Sequence, residues 1–130
     1  MIPIPQHIKG LIYDLDGTLA DTMSVHYKAT QIACTKFDIE FPYEYFLAKA
    51  GIPTLTVFEM FVKEYNHKGI DGIALGKDKE SIFLELIPTV KAIRSAEILL
   101  LDNLGKRKIA VGSGGQRISV DKTLHAIGHY

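Results

Sequence analysis

The chain has 130 residues, of which 47% are hydrophobic and 23% charged, and its 15 basic residues balance its 15 acidic ones. This mixture is typical of one globular domain and excludes a disordered chain. The zero net charge offers no basic surface, so we expect no nucleic-acid partner. No apolar run approaches the roughly 18 residues that a membrane span needs, and the first residues do not resemble a secretion signal. We therefore predict a cytoplasmic protein that does not bind membranes.

The hydrophobic pattern predicts two short strands and six helices. The apolar run 10–13 is typical of a buried parallel strand, and a second such run lies at 109–111. Apolar residues recur at helical spacing elsewhere, and these predicted helices span 22–37, 43–50, 54–65, 77–86, 88–101 and 116–127. Cys34 lies on the first helix, and as the single cysteine it can form no internal disulfide. We expect it to be a buried, unreactive thiol.

The distance between the strands indicates an insertion. The stretch after the first strand is too long for a single crossover helix, so we expect residues 20–87 to form a helical module. Residues 1–19 and 88–130 then form an α/β part with a parallel sheet. The polar run 66–72 and the basic run 106–108 are predicted to be turns, the latter solvated. The aromatic residues expected in the core of the module are Tyr43, Tyr45, Phe46, Phe58 and Phe61.

Two aspartates directly follow the first strand. Asp14 and Asp16 stand at its carboxyl end, where open α/β sheets place ligands, and residues two apart on an extended segment point the same way. Two carboxylates on one side repel each other, and a divalent cation such as Mg²⁺, with oxygen ligands and retained waters, relieves that repulsion. Gly17 permits a sharp turn and Thr18 adds a hydroxyl, which makes both of them candidate phosphate-binding residues.

Two other structures fit part of this segment. An EF-hand loop begins with a similar Asp-x-Asp pattern, but it needs Gly at its sixth position and Glu at its twelfth. Those positions hold Leu19 and Val25, and a strand rather than a helix precedes them, so a Ca²⁺ loop is rejected. A plain solvated turn is the other alternative, although the additional Asp21 makes the segment more organised than such a turn.

Segment 11–22, which reads LIYDLDGTLADT, resembles the first motif of the haloacid dehalogenase-like (HAD) hydrolases. Residues 25–29 resemble the first cap helix of the β-phosphoglucomutase-like and sugar-phosphatase branch. The resemblance implies an α/β fold, with an incomplete Rossmann-like core and an inserted helical cap of four-helix type. It implies that Asp14 is the nucleophile that forms an aspartyl phosphate, and that Asp16 is general acid and then base. It also implies Mg²⁺ held by the Asp14 carboxylate and the Asp16 backbone carbonyl.

A second motif follows the second strand. Residues 109–115 read IAVGSGG and lead into a helix, whose N-terminus and nearby backbone N–H groups favour an anion. Taken alone, the loop is better explained as a structural turn, because it lacks the Gly-Lys-Ser/Thr of a P-loop and has Arg117 at the third glycine of a dinucleotide loop. Beside the aspartate motif it resembles the second HAD motif, which implies phosphate binding by Ser113 and the Gly114 amide.

The loop 49–54 resembles the cap segment that faces the substrate in this branch. The mutases carry Lys before its glycine and Arg three residues after it, whereas this sequence has Ala50 and Thr54 there. The groups that grip a second phosphate are therefore missing, and the loop is more similar to that of fructose-1-phosphate phosphatases. His26 fits a half-buried helix position as well as a place at the cleft, and Lys49 fits a solvated charge. The cap residues expected at the substrate are His26, Lys49, Gly51 and Thr54.

The resemblance also implies motifs that this sequence does not match, as in a C-terminally truncated member. These are a Lys that contacts Asp14 and the phosphate, and an acidic pair at the Mg²⁺ site; Lys122 and Asp121 lie too close to Ser113 to serve. We therefore expect an impaired Mg²⁺-dependent phosphatase of small sugar phosphates. An open sheet edge predicts self-association into a homo-oligomer. The alternatives are a β-phosphoglucomutase-like mutase and an inactive fragment that binds phosphate or self-associates.

Overall fold

The computed structural model describes residues 3–130 as an α/β chain that divides into two compact units. One unit comprises the residues up to Met23 together with Ile87–Tyr130, and the other comprises Ser24–Leu86. The elements in chain order are β1 (Gly10–Asp14), α1 (Met23–Thr35), α2 (Tyr43–Ala48), α3 (Thr54–Glu64), α4 (Gly72–Leu86), a 3₁₀ turn (Ile87–Thr89), α5 (Arg94–Asn103), β2 (Lys108–Gly112) and α6 (Arg117–Ala126). The parallel sheet and the helices confirm the predicted fold class. Within residues 3–130, none of the helices combines the length and the apolar character needed to cross a membrane.

The sheet of the first unit consists of β1 and β2, which run parallel. Their register pairs Ile12 with Ala110 and Asp14 with Gly112. Because side chains alternate along a strand, Tyr13 and Ile12 lie on opposite faces, and they are 7% and 80% exposed. Both predicted strands are confirmed, and each ends one residue later than predicted, at Asp14 and at Gly112.

The loop after β1 is built around two buried leucines. Leu15 and Leu19 are each 1% exposed, and the Leu15 carbonyl accepts hydrogen bonds from the amides of Leu19 and Ala20 at 3.0 and 2.9 Å. Gly17 has a φ of 76°, in the left-handed region that favours glycine, and its amide donates to the Ala20 carbonyl at 2.9 Å. These hydrogen bonds therefore close the loop into one ordered turn.

The same loop forms backbone hydrogen bonds with the segment before α5. The Ile93 amide donates to the Leu19 carbonyl and the Asp21 amide donates to the Lys91 carbonyl, both at 2.8 Å. These bonds draw the chain before α5 alongside the loop, so the helix begins later than predicted. The prediction of one helix over 88–101 is wrong, because Lys91 and Ile93 form backbone hydrogen bonds with the loop after β1 instead of with a first helical turn.

Arg107 fastens the N-terminal segment to the turn before β2. Its Nη1 donates to Asn103 Oδ1 at 2.6 Å, its Nε to the Ile8 carbonyl at 3.0 Å and its Nη2 to the Ile4 carbonyl at 3.2 Å. Residues 104–107 do form a turn and a bend. Arg107 is half-buried, however, so the predicted solvated role of the basic run is wrong for this residue.

In the second unit, α4 begins at Gly72, whereas the sequence predicts its start at residue 77. Asp71 Oδ1 accepts hydrogen bonds from the amides of Ile73 and Ala74 at 3.0 and 3.2 Å, which satisfies donors that the first helical turn leaves without partners. The predicted polar turn over 66–72 is therefore wrong at its end, where the capped helix already starts.

The glycines of α4 allow close packing against α3. A Cβ on Gly72 would lie 2.8 Å from the Phe58 carbonyl oxygen, and a Cβ on Gly76 would lie 2.9 Å from Leu55 Cδ2. Real Cβ atoms do not approach other atoms this closely. The two helices can therefore pack at this distance only with glycine at position 72. The sequence pattern predicts Gly72 to be a turn residue, whereas the structure places it at the start of α4 against α3.

The core of the second unit is aromatic. Phe41, Phe58 and Phe61 are at most 2% exposed, and the Phe41 ring centroid lies 4.4 Å from that of Phe61 and 5.4 Å from that of Phe58. Tyr45 is half-buried, with its ring centroid 5.8 Å from that of Phe61. Tyr43 is 50% exposed, so its prediction as a core residue is wrong. It belongs to α2, a six-residue helix without a buried residue.

Candidate active site

The carboxyl ends of the two strands bring the two sequence motifs together. Asp14 is the last residue of β1 and is paired with Gly112, the last residue of β2. Ser113 follows directly, so the predicted nucleophile and the predicted phosphate loop leave the sheet side by side. Asp14 is exposed, and its carboxylate is therefore accessible to a substrate from solvent.

Two threonine hydroxyls hold the two carboxylates. Thr18 Oγ1 donates to Asp14 Oδ2 at 3.0 Å, and Thr22 Oγ1 donates to Asp16 Oδ1 at 2.7 Å. Thr22 is fully buried and Asp16 is half-buried. Because hydrogen bonds to ionised acceptors are strong, they restrict the rotamers of both aspartates. Thr22 is a positioning residue that the sequence prediction missed, although it ends the motif segment 11–22.

The glycine loop approaches Asp16. The Gly115 amide donates to Ser113 Oγ at 3.1 Å. A Cβ on Gly115 would lie 3.3 Å from Ser113 Oγ, which is a tight contact, and 4.0 Å from Asp16 Oδ2, so the loop backbone lies close to the Asp16 carboxylate. Gly114 is exposed, and α6 starts close by at Arg117, where a helix N-terminus favours an anion. The glycine loop therefore lies with Asp14, Asp16 and Thr18 at the carboxyl end of the sheet.

In the second unit, the predicted cap residue His26 is held by a buried lysine. Lys79 Nζ lies 2.9 Å from His26 Nδ1 and 3.4 Å from Glu80 Oε1, and the His26 ring stacks on Phe83 with centroids 3.7 Å apart. Lys79 is 4% exposed, which is rare for a lysine. The sequence prediction missed it. Its spacing of four residues from Leu75 and from Phe83 was the available signal, since that spacing marks one face of a helix.

The other three predicted cap residues lie between α2 and the start of α3. Lys49 is half-buried, with Nζ 5.2 Å from the centroid of the Tyr45 ring. Gly51 has a φ of 90°, which favours glycine, and Thr54 is the first residue of α3. The structure thus shows where these three residues lie, and their role at a substrate stays a prediction.

A model of the haloacid dehalogenase-like hydrolase family matches residues 11–129. This chain belongs to the haloacid dehalogenase-like hydrolase family. The match includes the aspartate motif, the helical module and the glycine loop. It confirms the family that segment 11–22 predicts.

This HAD chain is similar to named enzymes over most of its length. It is 28% identical over 124 residues to the fructose-1-phosphate phosphatase YqaB of Escherichia coli (strain K12), a match that covers 93% of this chain and 65% of that protein. The crystal structure of CbbY from Rhodobacter sphaeroides in complex with phosphate has a TM-score of 0.75 at 17% identity, and covers 95% of this chain and 58% of that one. A β-phosphoglucomutase from Clostridium difficile has a TM-score of 0.70 at 23% identity, and covers 93% and 57%. The chain shares their fold and spans less than two thirds of the length of each.

The donor atoms of the aspartate pair suit a hard cation. Asp14 and Asp16 offer only oxygen ligands, which Mg²⁺ prefers, and Asp14 is exposed. Within residues 3–130, no group of three or more His, Cys, Asp or Glu side chains is placed to hold a metal ion. The pair therefore fits Mg²⁺ that keeps several waters, rather than an ion enclosed by protein ligands.

Proposed function

We propose that this HAD chain carries the nucleophile of a Mg²⁺-dependent phosphatase for small sugar phosphates, which acts through an aspartyl phosphate on Asp14. The observation that carries the proposal is the register of β1 and β2, which pairs Asp14 with Gly112 at the start of the glycine loop. Phosphoryl transfer depends on positioning and on charge stabilisation, and a nucleophile beside an anion-binding loop supplies both.

Each group has one task in this mechanism. A carboxylate oxygen of Asp14 attacks phosphorus, and the leaving sugar oxygen takes a proton from Asp16. Asp16 then removes a proton from water, which attacks the aspartyl phosphate, releases inorganic phosphate and restores Asp14. The Ser113 hydroxyl and the Gly114 amide donate hydrogen bonds to the transferring group. Mg²⁺, held by the Asp14 carboxylate and the Asp16 carbonyl, would neutralise negative charge on the phosphoryl oxygens.

The substrate class is inferred from the second unit and from a relative. Ala50 and Thr54 stand where the mutases carry basic residues, so these positions have no charge for a second phosphate. YqaB is named for fructose 1-phosphate, which supports a small sugar with one phosphate. His26, Lys49, Gly51 and Thr54 are the proposed substrate-selecting residues.

We expect turnover by the 130-residue chain to be slow. One carboxylate and one backbone carbonyl, with no group of three metal-binding side chains within residues 3–130, predict weak Mg²⁺ binding. The sequence also lacks a match to the family lysine that would face the phosphate. The loss of one such donor raises the barrier by about 3 kcal/mol, or about 100-fold in rate.

The test is the release of inorganic phosphate from a panel of sugar monophosphates and bisphosphates, with Mg²⁺ and with EDTA. We expect Mg²⁺-dependent release that Asp14→Asn lowers by about 1,000-fold or more. Asp102→Asn is the matched control, because Asp102 is an exposed carboxylate at the end of α5. Release that survives Asp14→Asn, or that needs no Mg²⁺, contradicts the mechanism.

Two other results would assign a different function. Conversion of a hexose 1-phosphate to a hexose 6-phosphate without release of phosphate would identify a mutase. Binding of inorganic phosphate by the folded chain, with no turnover of any substrate in the panel, would identify an inactive phosphate-binding module. Intact mass spectrometry of the chain after mixing with substrate detects the aspartyl phosphate directly.

A further inference from the structure

The hydroxyl of Thr18 has two possible acceptors at the candidate site, a bound phosphate and the carboxylate of Asp14. The motif makes Thr18 a candidate phosphate-binding residue, because it follows the two aspartates and Gly17. In the structure, however, Thr18 Oγ1 donates to Asp14 Oδ2 at 3.0 Å. A threonine hydroxyl has a single proton to donate. Thr18 therefore cannot donate to Asp14 and to a phosphate at the same time.

The backbone of Thr18 is fixed by residues on both sides of it. Leu15 and Leu19 are each 1% exposed and anchor the loop after β1 in the core. The Thr18 amide donates to the Leu15 carbonyl at 3.2 Å, and the Gly17 amide donates to the Ala20 carbonyl at 2.9 Å. The Thr18 side chain itself is exposed. The loop therefore holds the hydroxyl beside the carboxylate, and removal of the hydroxyl should leave the loop in place.

This hydrogen bond makes the two oxygens of Asp14 different. Oδ2 shares a lone pair with the Thr18 hydroxyl, so Oδ1 is the oxygen better suited to form a bond to phosphorus. Asp14 is exposed, and Oδ1 can therefore meet a substrate from solvent. A carboxylate has about four lone-pair sites, so the bond from Thr18 leaves room for a cation on the same group.

We propose that Thr18 is a positioning residue for Asp14, whose hydroxyl holds the oxygen that does not attack and stabilises the carboxylate when it leaves phosphorus. The inference rests on the proposed function. In the first step, Oδ1 bonds to phosphorus, the bond from phosphorus to the sugar oxygen breaks, and Asp14 loses its negative charge. In the second step, the oxygen of water bonds to phosphorus and its proton goes to Asp16. The bond from Oδ1 to phosphorus breaks, and its electron pair returns to the Asp14 carboxylate.

The returning charge determines which step depends more on Thr18. Hydrogen bonds to ionised acceptors are about twice as strong as those to neutral ones, so the bond from Thr18 strengthens as the carboxylate leaves phosphorus. The difference corresponds to about five-fold in rate. In the first step the bond weakens, and the loss of orientation and the loss of ground-state stabilisation oppose each other. Removal of the hydroxyl should therefore slow hydrolysis of the aspartyl phosphate more than its formation.

The experiment phosphorylates the 130-residue chain with acetyl phosphate and Mg²⁺, a donor that does not depend on which sugar the site selects. Intact mass spectrometry follows the gain of a phosphoryl group and, once the donor is removed, its loss; Asp14→Asn shows which part lies on Asp14. We expect the loss to be about five-fold slower in Thr18→Val, which keeps the branched shape, and to return to the wild-type rate in Thr18→Ser, which keeps the donor. Thr35→Val is the matched control, because Thr35 is exposed, donates to the Gln31 carbonyl at 2.7 Å and should behave like wild type.

A second measurement detects the hydrogen bond without turnover. In a chain labelled with ¹³C at the aspartate carboxyl carbons, the NMR signal of Asp14 is the one that Asp14→Asn removes. We expect Thr18→Val to shift this signal, and Thr18→Ser and Thr35→Val to leave it near its wild-type position. Circular dichroism of Thr18→Val should match wild type, because Thr18 is exposed.

The outcomes separate this inference from the proposed function. A wild-type chain that never gains a phosphoryl group on Asp14 contradicts the proposed function, and with it any role of Thr18 in hydrolysis. A Thr18→Val chain that gains the group and loses it at the wild-type rate overturns the inference alone. So does an Asp14 carboxyl signal that Thr18→Val leaves in place, above all if the same variant binds inorganic phosphate more weakly, because the hydroxyl would then serve the phosphate.

Discussion

Substitution of Thr22 tests whether the loop after β1 stabilises Asp16, the proposed general acid. The Thr22 hydroxyl is fully buried and donates to Asp16 Oδ1 at 2.7 Å. Thr22→Val keeps the branched shape of the side chain and removes the donor. A hydrogen bond to a charged group contributes about 1.5–3 kcal/mol, and a half-buried carboxylate that loses it is incompletely solvated. We therefore expect the free energy of unfolding to fall by about 1.5–3 kcal/mol.

Thr123→Val is the matched control for this substitution. Thr123 lies in the same unit, is 1% exposed and donates to the Ser119 carbonyl at 2.7 Å. Its acceptor is neutral, so the expected loss is about 0.5–1.5 kcal/mol. Urea unfolding followed by circular dichroism measures both variants. A Thr22→Val variant as stable as wild type, or a Thr123→Val variant that loses as much stability as Thr22→Val, would contradict the expected contribution of the Thr22–Asp16 hydrogen bond.

Two further substitutions and one labelling experiment test the second unit. Gly72→Ala should lower the free energy of unfolding by about 1–3 kcal/mol, because its Cβ would meet the Phe58 backbone at 2.8 Å. Gly76→Ala meets the flexible end of Leu55, so helix propensity offsets the crowding and the change should stay below about 1 kcal/mol in the same urea assay; equal losses would contradict this. Burial raises the pKa of the Cys34 thiol to about 12, so a disulfide reagent in mildly alkaline buffer should label the folded chain at least about 100-fold more slowly than the chain in urea. Rapid labelling of the folded chain would show that α1 opens readily.

The sequence predicts those parts of the fold that depend on local patterns. Both strands and the helices between them follow from apolar spacing, since one face of each element is buried. The start of α4 does not follow from apolar spacing, because a glycine in the sequence fits either a turn or a close contact between helices. Glycine is typical of turns, but at Gly72 the lack of a Cβ allows α3 to pack so closely that a Cβ would clash with its backbone. A sequence pattern carries no information on that distance between helices.

Contacts between distant segments account for two further errors. The amide of Ile93 bonds to the carbonyl of Leu19, so part of the predicted helix 88–101 is extended. Arg107 looks like one charge of a solvated run, yet it bonds to the Ile4 and Ile8 carbonyls near the start of the chain. In both cases the partner is a backbone carbonyl, and every residue has one. Side-chain chemistry therefore cannot reveal the pairing in advance.

The candidate site combines one local and one distant arrangement. The Thr18 hydroxyl reaches Asp14 across four residues, so this part of the motif geometry is set within the loop. The position of Ser113 relative to Asp14 depends instead on the pairing of β1 with β2. Substitutions in the loop after β1 should therefore change the orientation of Asp14, the proposed nucleophile, and leave the glycine loop in place. Substitutions that shift β2 should move the glycine loop as a unit and leave the hydrogen bonds of the two carboxylates intact.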